Sequence, residues 1–175
     1  MNTIQRKYLL SLAIGDGYVD KYGGIVVSHA EAKVGYLEWK IQKAADISLP
    51  KPAIRTFQNG VNKGVCARFS GGSWGKLLRK VLYDNTDSRQ PKNIYQRRVL
   101  DKLDRQGIAI WYMDDGGLTH RTRDGVRTGS IDLCLNTITS LENNQVVVNY
   151  FNERWAIPFS TARNRGYYRL RKKKK

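Results

Sequence analysis

The chain has 175 residues, 31 of them Lys or Arg against 15 Asp or Glu, giving a net charge of +16. Apolar residues make up 41% and aromatics 10%, which excludes a disordered polycation and fits one domain, or two small halves sharing a core. The thirteen residues from Arg163 to Lys175 carry eight basic groups and no acid, so +8 remains on the body of the chain. A body that basic points to a polyanionic partner, nucleic acid first.

Two cysteines, Cys66 and Cys134, and two histidines, His29 and His120, offer no CxxC or HxxxH spacing, which argues against structural zinc. Isolated cysteines suit a reducing compartment. The apolar run Tyr8 to Ile14 follows Arg6-Lys7 but is short for a signal peptide and lacks a small-residue cleavage site. Without a long apolar run there is no membrane span in the sequence. The expectation is a soluble intracellular protein with no membrane partner.

In chain order, the first predicted helix runs from Gln5 to Gly15 and stops at Asp16-Gly17. A hairpin follows, Tyr18–Asp20 and Ile25–His29, around Lys21-Tyr22-Gly23-Gly24. Tyr36, Leu37, Lys40, Ile41 and Ala44 then recur at helical spacing. A second hairpin turns at Asn59-Gly60, a helix runs from Trp74 to Tyr83, and a polar linker extends from Asp84 to Asn93. The series then restarts. Asp104 caps a helix from Arg105 to Asp114, and Leu118–Arg123 and Thr128–Asn136 form a hairpin at Asp124-Gly125. A helix from Ser140 to Trp155 carries Val147, Tyr150, Phe151 and Trp155 on one face, and a last hairpin turns at Asn164-Arg165-Gly166. Strand alternation assigns Ile131, Leu133 and Leu135 to the core and Asp132, Cys134 and Asn136 to the other face.

The restart is a duplication. The segment Leu9 to Gly17 recurs at Ile108 to Gly116, with Asp115 lying 99 residues after Asp16. Asn62-Lys63-Gly64 recurs as Asn164-Arg165-Gly166 at an offset of 102. Either match alone is a common turn dipeptide, but two at nearly one offset describe a repeated unit. The expected halves are residues 1–84 and 104–175, joined by a linker over 85–103, with the second half lacking a final helix.

A carboxylate at a helix C-terminus adds to an end that the helix dipole already makes negative. Two such ends call for a compensating positive charge, and a hard divalent cation supplies it, taking oxygens from Asp and from free helix-end carbonyls. If the two helices pack side by side, with Ser11 and Gly15 permitting close approach, Asp16 and Asp115 meet at one end.

The two motifs, Leu9 to Gly17 and Ala109-Ile110-Trp111-Tyr112-Met113-Asp114-Asp115-Gly116-Gly117, each followed by hairpin, helix and hairpin, resemble a single-chain LAGLIDADG homing endonuclease of the intron-encoded type. The resemblance runs from about Gln5 to Arg171; the first motif matches mainly through Leu9, Leu12, Asp16 and Gly17. It implies an α+β fold of duplicated αββαββ(α) units with pseudo-two-fold symmetry, two central helices, and two four-stranded antiparallel sheets forming a saddle over DNA. It further implies metal held by Asp16 and Asp115 with the Gly15 and Asp114 carbonyls, Mg²⁺ or another divalent cation such as Mn²⁺, and a monomer cutting a long duplex DNA target.

Around that centre, His29 and Asn136 are candidates for ordering water, although His29 reads equally as an ordinary strand-end histidine. Arg89 in the linker is the candidate basic group, and equally a solvated linker residue; Lys172 to Lys175 are the available substitutes in the second copy. Arg55, Lys63, Arg68, Arg121, Arg123, Arg127, Arg163, Arg165, Arg169 and Arg171 form the candidate DNA-binding set on the hairpins, since a two-stranded ribbon fits the major groove. Two rival readings stand beside this one. Asp20 with Glu31-Ala32-Lys33 fits the loose pattern of restriction-type nucleases but leaves the duplication unexplained. A LAGLIDADG-type maturase, with intron RNA as partner, or a non-cleaving nucleic-acid-binding protein would keep the fold without the cleavage.

Overall fold

The computed structural model describes residues 1–83, 92–164 and 166–173, without the side chains of residues 59, 62, 119, 121–123, 128–131, 138, 164 and 173. The order of elements repeats as the sequence predicts. The first series is α1 (Thr3–Ile14), β1 (Tyr18–Val19), β2 (Gly24–Ala30), a 3-10 turn (Glu31–Lys33), α2 (Val34–Asp46), β3 (Ala53–Asn59), β4 (Asn62–Ser70) and α3 (Gly72–Leu82). After the short α4 (Arg97–Leu100) come α5 (Arg105–Asp115), β5 (Gly116–Arg123), β6 (Val126–Thr139), α6 (Leu141–Trp155), β7 (Ser160–Asn164) and β8 (Tyr167–Lys173). Each copy builds one antiparallel four-stranded sheet, in the orders β1-β2-β4-β3 and β5-β6-β8-β7. Identical order in both sheets is the structural counterpart of the repeat in the sequence.

The chain divides into two compact units: residues 1–94 with 103–110, and residues 95–102 with 111–175. In the first unit, α1 starts on a capping box, the Asn2 side chain accepting from the Gln5 N–H while the Gln5 side chain accepts from the Asn2 N–H. From Tyr8 to Ile14 every residue of α1 is buried, the mark of a helix enclosed on all sides. β2 turns Ile25, Val27 and His29 inward, opposite Ala67 and Phe69 of β4 and the Leu37 and Ala44 face of α2. The opening of α5 belongs to this unit. Asp104 caps it as predicted, its Oδ1 accepting from the Gly107 N–H at 2.9 Å. A β-carbon added at Gly107 would stand 3.4 Å from that of Ser11, so two small residues set the approach of α1 to this segment. Lys7 and Asp104 lie 4.0 Å apart beside it.

In the second unit, Trp111, Tyr150, Phe151, Leu135 and Leu170 form the core, with Phe151 stacked on Trp111 at 6.0 Å and edge-on to Phe159 at 4.9 Å. Ser140 caps α6, its hydroxyl accepting from the Asn143 N–H. Asp124 and Gly125 have φ of 52° and 79°, the pair of left-handed residues that the predicted Asp-Gly hairpin turn requires.

One expectation needs correction. Leu133 does share its face with Leu135 and Leu170, yet it is 38% exposed, whereas Asp132 and Cys134 on the opposite face are buried. Arg171, facing Cys134 across the ladder, bonds the Asp132 carboxylate through Nε at 2.8 Å and also through Nη2, so an ion pair seals the face that alternation sets opposite the core. Lys172 and Lys173 extend β8 opposite Leu133 and Asp132. Within the segment expected to join the copies, α4 buries Val99 and Leu100.

Candidate active site

The geometry of each Asp-Gly step explains its sequence. The Gly17 N–H donates to the Leu12 carbonyl at 3.0 Å as the chain folds back beneath the last turn of α1. A side chain at Gly17 would fall on that same carbonyl oxygen, and one at Gly116 would fall on the Tyr112 carbonyl oxygen. Both copies therefore need glycine after the acid because the backbone passes too close for a β-carbon. Asp16 is thereby held at the mouth of α1, its side chain 36% exposed.

The negative end of α1 has a counter-charge inside the chain. Lys92 extends its ammonium onto the carbonyls of Ala13 at 3.0 Å, Ile14 at 3.1 Å and Gly17 at 2.9 Å, and onto that of Gly15. Ala13 and Ile14 are carbonyls that the helix C-terminus leaves without intrahelical partners, and Gly15 and Gly17 lie just past it. Sequence reasoning missed Lys92 because nothing in a polar linker distinguishes one basic residue from its neighbours. Arg89, the candidate basic group of the linker, lies outside the described residues.

His29 of β2 lies behind Asp16. Its Nδ1 is 3.6 Å from the Asp16 carboxylate and its Nε2 is 3.2 Å from the ammonium of Lys40, a fully buried residue of α2. The Lys40 ammonium also lies 4.2 Å from the Tyr36 ring centroid. In the second unit, the Trp111 indole N–H donates to the Asp115 carboxylate at 3.1 Å across one helical turn, and the Tyr112 hydroxyl donates to the Gly117 carbonyl at 3.1 Å. Burial pushes the Tyr112 hydroxyl above its ordinary range. Asp114 and Asn136 are half-buried.

The donors around the end of α1 fit a hard divalent cation. A carboxylate and a cluster of backbone carbonyls converge there, oxygen donors of the kind Mg²⁺ and Mn²⁺ prefer. The Gly15 carbonyl expected among the ligands already accepts from Lys92, and its second lone pair remains for a further partner.

The candidate DNA-binding residues divide by face. Arg55 of β3 pairs with Cys66 and Arg68 with Ala53, so Arg55 and Arg68 share one face of the first sheet. Lys63, paired with Gln58, belongs to the opposite face. In the second sheet Arg169 and Arg171 share a face, while Arg163, paired with Tyr168, takes the other. Lys63, Arg127 and Arg163 are exposed. Arg121 and Arg123 stand on β5 by their backbone, and Arg165 lies outside the described residues. Arg68 is held in place: its Nε donates to Asp20 at 2.5 Å. Burial acts to raise the Asp20 carboxyl, but hydrogen bonds from Arg68 and from the Gly24 and Tyr22 N–H groups outweigh it and hold the group below its ordinary value. Arg171 is tied to Asp132 in the same manner.

Two αββαββ series with one sheet order, each closing its first helix with Asp-Gly, define the class of duplicated LAGLIDADG folds. The chain belongs to the LAGLIDADG DNA endonuclease family, whose family model matches residues 9–175. Among solved structures it is similar to the homing endonuclease I-WcaI bound to its DNA recognition sequence, with 19% identity and a TM-score of 0.72 over 98% of this chain and 76% of that one. It also matches mesophilic variants of the homing endonuclease I-DmoI, with 14% identity and a TM-score of 0.49 over 97% and 88% of the two chains. The N-terminal LAGLIDADG domain of DUF199/WhiA matches at 13% identity and a TM-score of 0.48, over 97% and 76%. No curated protein matches. No helix among the described residues is long and apolar enough to cross a membrane.

Proposed function

We propose that the chain is a site-specific double-stranded DNA endonuclease that hydrolyses phosphodiesters with a divalent metal, Mg²⁺ or Mn²⁺, at the ends of its two motif helices. The observation that carries this reading is the end of α1. There a half-exposed carboxylate stands beside carbonyls that already gather a cation, the Lys92 ammonium. Asp16 with the Gly15 carbonyl would hold metal in the first copy, and Asp115 with that of Asp114 would do so in the second. When bound, the ion neutralises phosphate charge and lowers the pKa of a coordinated water.

The chain's own residues do the rest. Trp111 fixes the rotamer of Asp115 through its indole N–H, and His29 backs Asp16. Lys92 brings positive charge to the place where phosphate must approach, and Asn136 is available to orient water. Arg55 and Arg68 on one sheet face, and Arg169 and Arg171 on one face of the other, hold the duplex; the remaining basic side chains of the hairpins add phosphate contacts. The enzyme acts as a monomer, one half on each strand.

The test is cleavage of a long duplex made by joining the sequences that flank the reading frame's insertion site. Asp16→Asn and Asp115→Asn are each expected to abolish cutting while binding persists. Undiminished cleavage by either variant refutes the assignment. Tight binding to intron RNA, with no duplex cut under any metal, would replace this reading with that of a maturase.

A further inference from the structure

We propose that Lys40 governs which metals the Asp16 site accepts, by holding His29 in the tautomer that cannot act as a ligand. The inference rests on the reading of Asp16 as a metal ligand. The two ring nitrogens of His29 have different neighbours: Nε2 lies 3.2 Å from the Lys40 ammonium and Nδ1 lies 3.6 Å from the Asp16 carboxylate. Strand alternation forces this encounter, since β2 turns Ile25, Val27 and His29 inward while α2 buries Leu37, Lys40 and Ala44.

An ammonium donates three hydrogen bonds and accepts none. The position of Lys40 over the face of Tyr36, 4.2 Å from the centroid, suits that charged form. Nε2 must then offer Lys40 its lone pair, and the ring proton resides on Nδ1, the nitrogen nearest Asp16. Imidazole binds metal through a lone pair, and the only nitrogen within reach of a cation on Asp16 has none to give. Histidines that do ligate metals show the reverse arrangement, the far nitrogen donating its N–H to a carboxylate or carbonyl. Here the far nitrogen faces a donor instead.

Lys40 thus keeps the donor set on the Asp16 side to oxygen alone, which suits Mg²⁺ and Mn²⁺. An imidazole added to that set would favour Zn²⁺ and Ni²⁺. Lys40 is a positioning residue in this scheme: it acts on the metal site only through His29.

Two measurements on the full chain test this. Long-range ¹H–¹⁵N correlation on metal-free protein should show His29 as the Nδ1–H tautomer; an Nε2–H ring would overturn the proposal. Calorimetric titration with Zn²⁺ should then show Lys40→Met gaining about tenfold in affinity. The gain should vanish in Lys40→Met combined with His29→Gln, and should not occur in Lys40→Arg, which keeps a donor. Unchanged Zn²⁺ affinity in folded Lys40→Met refutes the idea. Should Lys40→Met not fold, the wild-type spectrum decides by itself: an Nδ1–H ring supports the proposal and an Nε2–H ring overturns it. Failure of the metal reading itself would register separately, as Mn²⁺ affinity unaffected by Asp16→Asn.

Discussion

Replacing Lys92 with methionine removes a charge from the end of α1 and leaves the chain length of the side chain nearly unchanged. The ammonium contacts the carbonyls of Ala13, Ile14, Gly15 and Gly17. A hydrogen bond to a charged group contributes about 1.5–3 kcal/mol, and a cation at a partly buried helix C-terminus up to about 2 kcal/mol. These describe the same electrostatic contact from two sides and do not add. Lys92 is half-buried, so water recovers part of the loss at the vacated carbonyls. The expected net cost is about 1–2 kcal/mol, which at this chain length lowers the melting temperature by about 2–8 °C. Circular dichroism melts of the wild type, Lys92→Met and Lys92→Arg measure it, with the arginine variant expected between the other two. Mg²⁺ should raise the melting temperature of Lys92→Met more than that of the wild type, because the ion then meets no resident ammonium at the Gly15 carbonyl. A Lys92→Met melt within about 1 °C of the wild type would show that the ammonium does not hold the helix end and would refute the reasoning.

Other expectations follow from single contacts. Trp111→Phe keeps an aromatic ring in the core but removes the N–H that steadies Asp115; kcat should fall about tenfold, the scale seen when a ligand loses its hydrogen-bonded support, with DNA affinity unchanged in a gel-shift titration. The Asp20 carboxyl titrates below its ordinary 3.8 in the folded chain, so the unfolded chain takes up its proton at higher pH. The stability this group contributes is therefore complete above about pH 4 and is lost as pH falls through the depressed value. Urea midpoints measured down that acid limb should drop less steeply in Asp20→Asn. An unchanged slope would show that the Arg68 pair is not formed in solution.

The order of elements is legible in the sequence because each signal to turn or stop is local. Asp124-Gly125 demands left-handed backbone wherever it occurs, Ser140 and Asp104 cap whatever helix follows them, and the repeat of Leu9 to Gly17 at Ile108 to Gly116 needs no structure to be seen. The two Asp-Gly steps were equally legible as a pattern, although the reason for each glycine, a backbone carbonyl in the way, is a matter of coordinates. Lys92 is not legible in the polar linker because a side chain there gains a role only when the fold brings it against something.

Sequence alone determined the duplication, the α+β series, the positions of Asp16 and Asp115 at helix ends and the basic strands, because local propensity and periodicity encode all of them. Tertiary structure decided which groups answer those acids: Lys92 on the carbonyls of α1, Lys40 behind His29, Trp111 on Asp115, and Arg171 closing over Asp132. All but the Trp111 contact join different segments of the chain, and the energy of a charge depends on what surrounds it. Burial and partners exist only once the chain has folded.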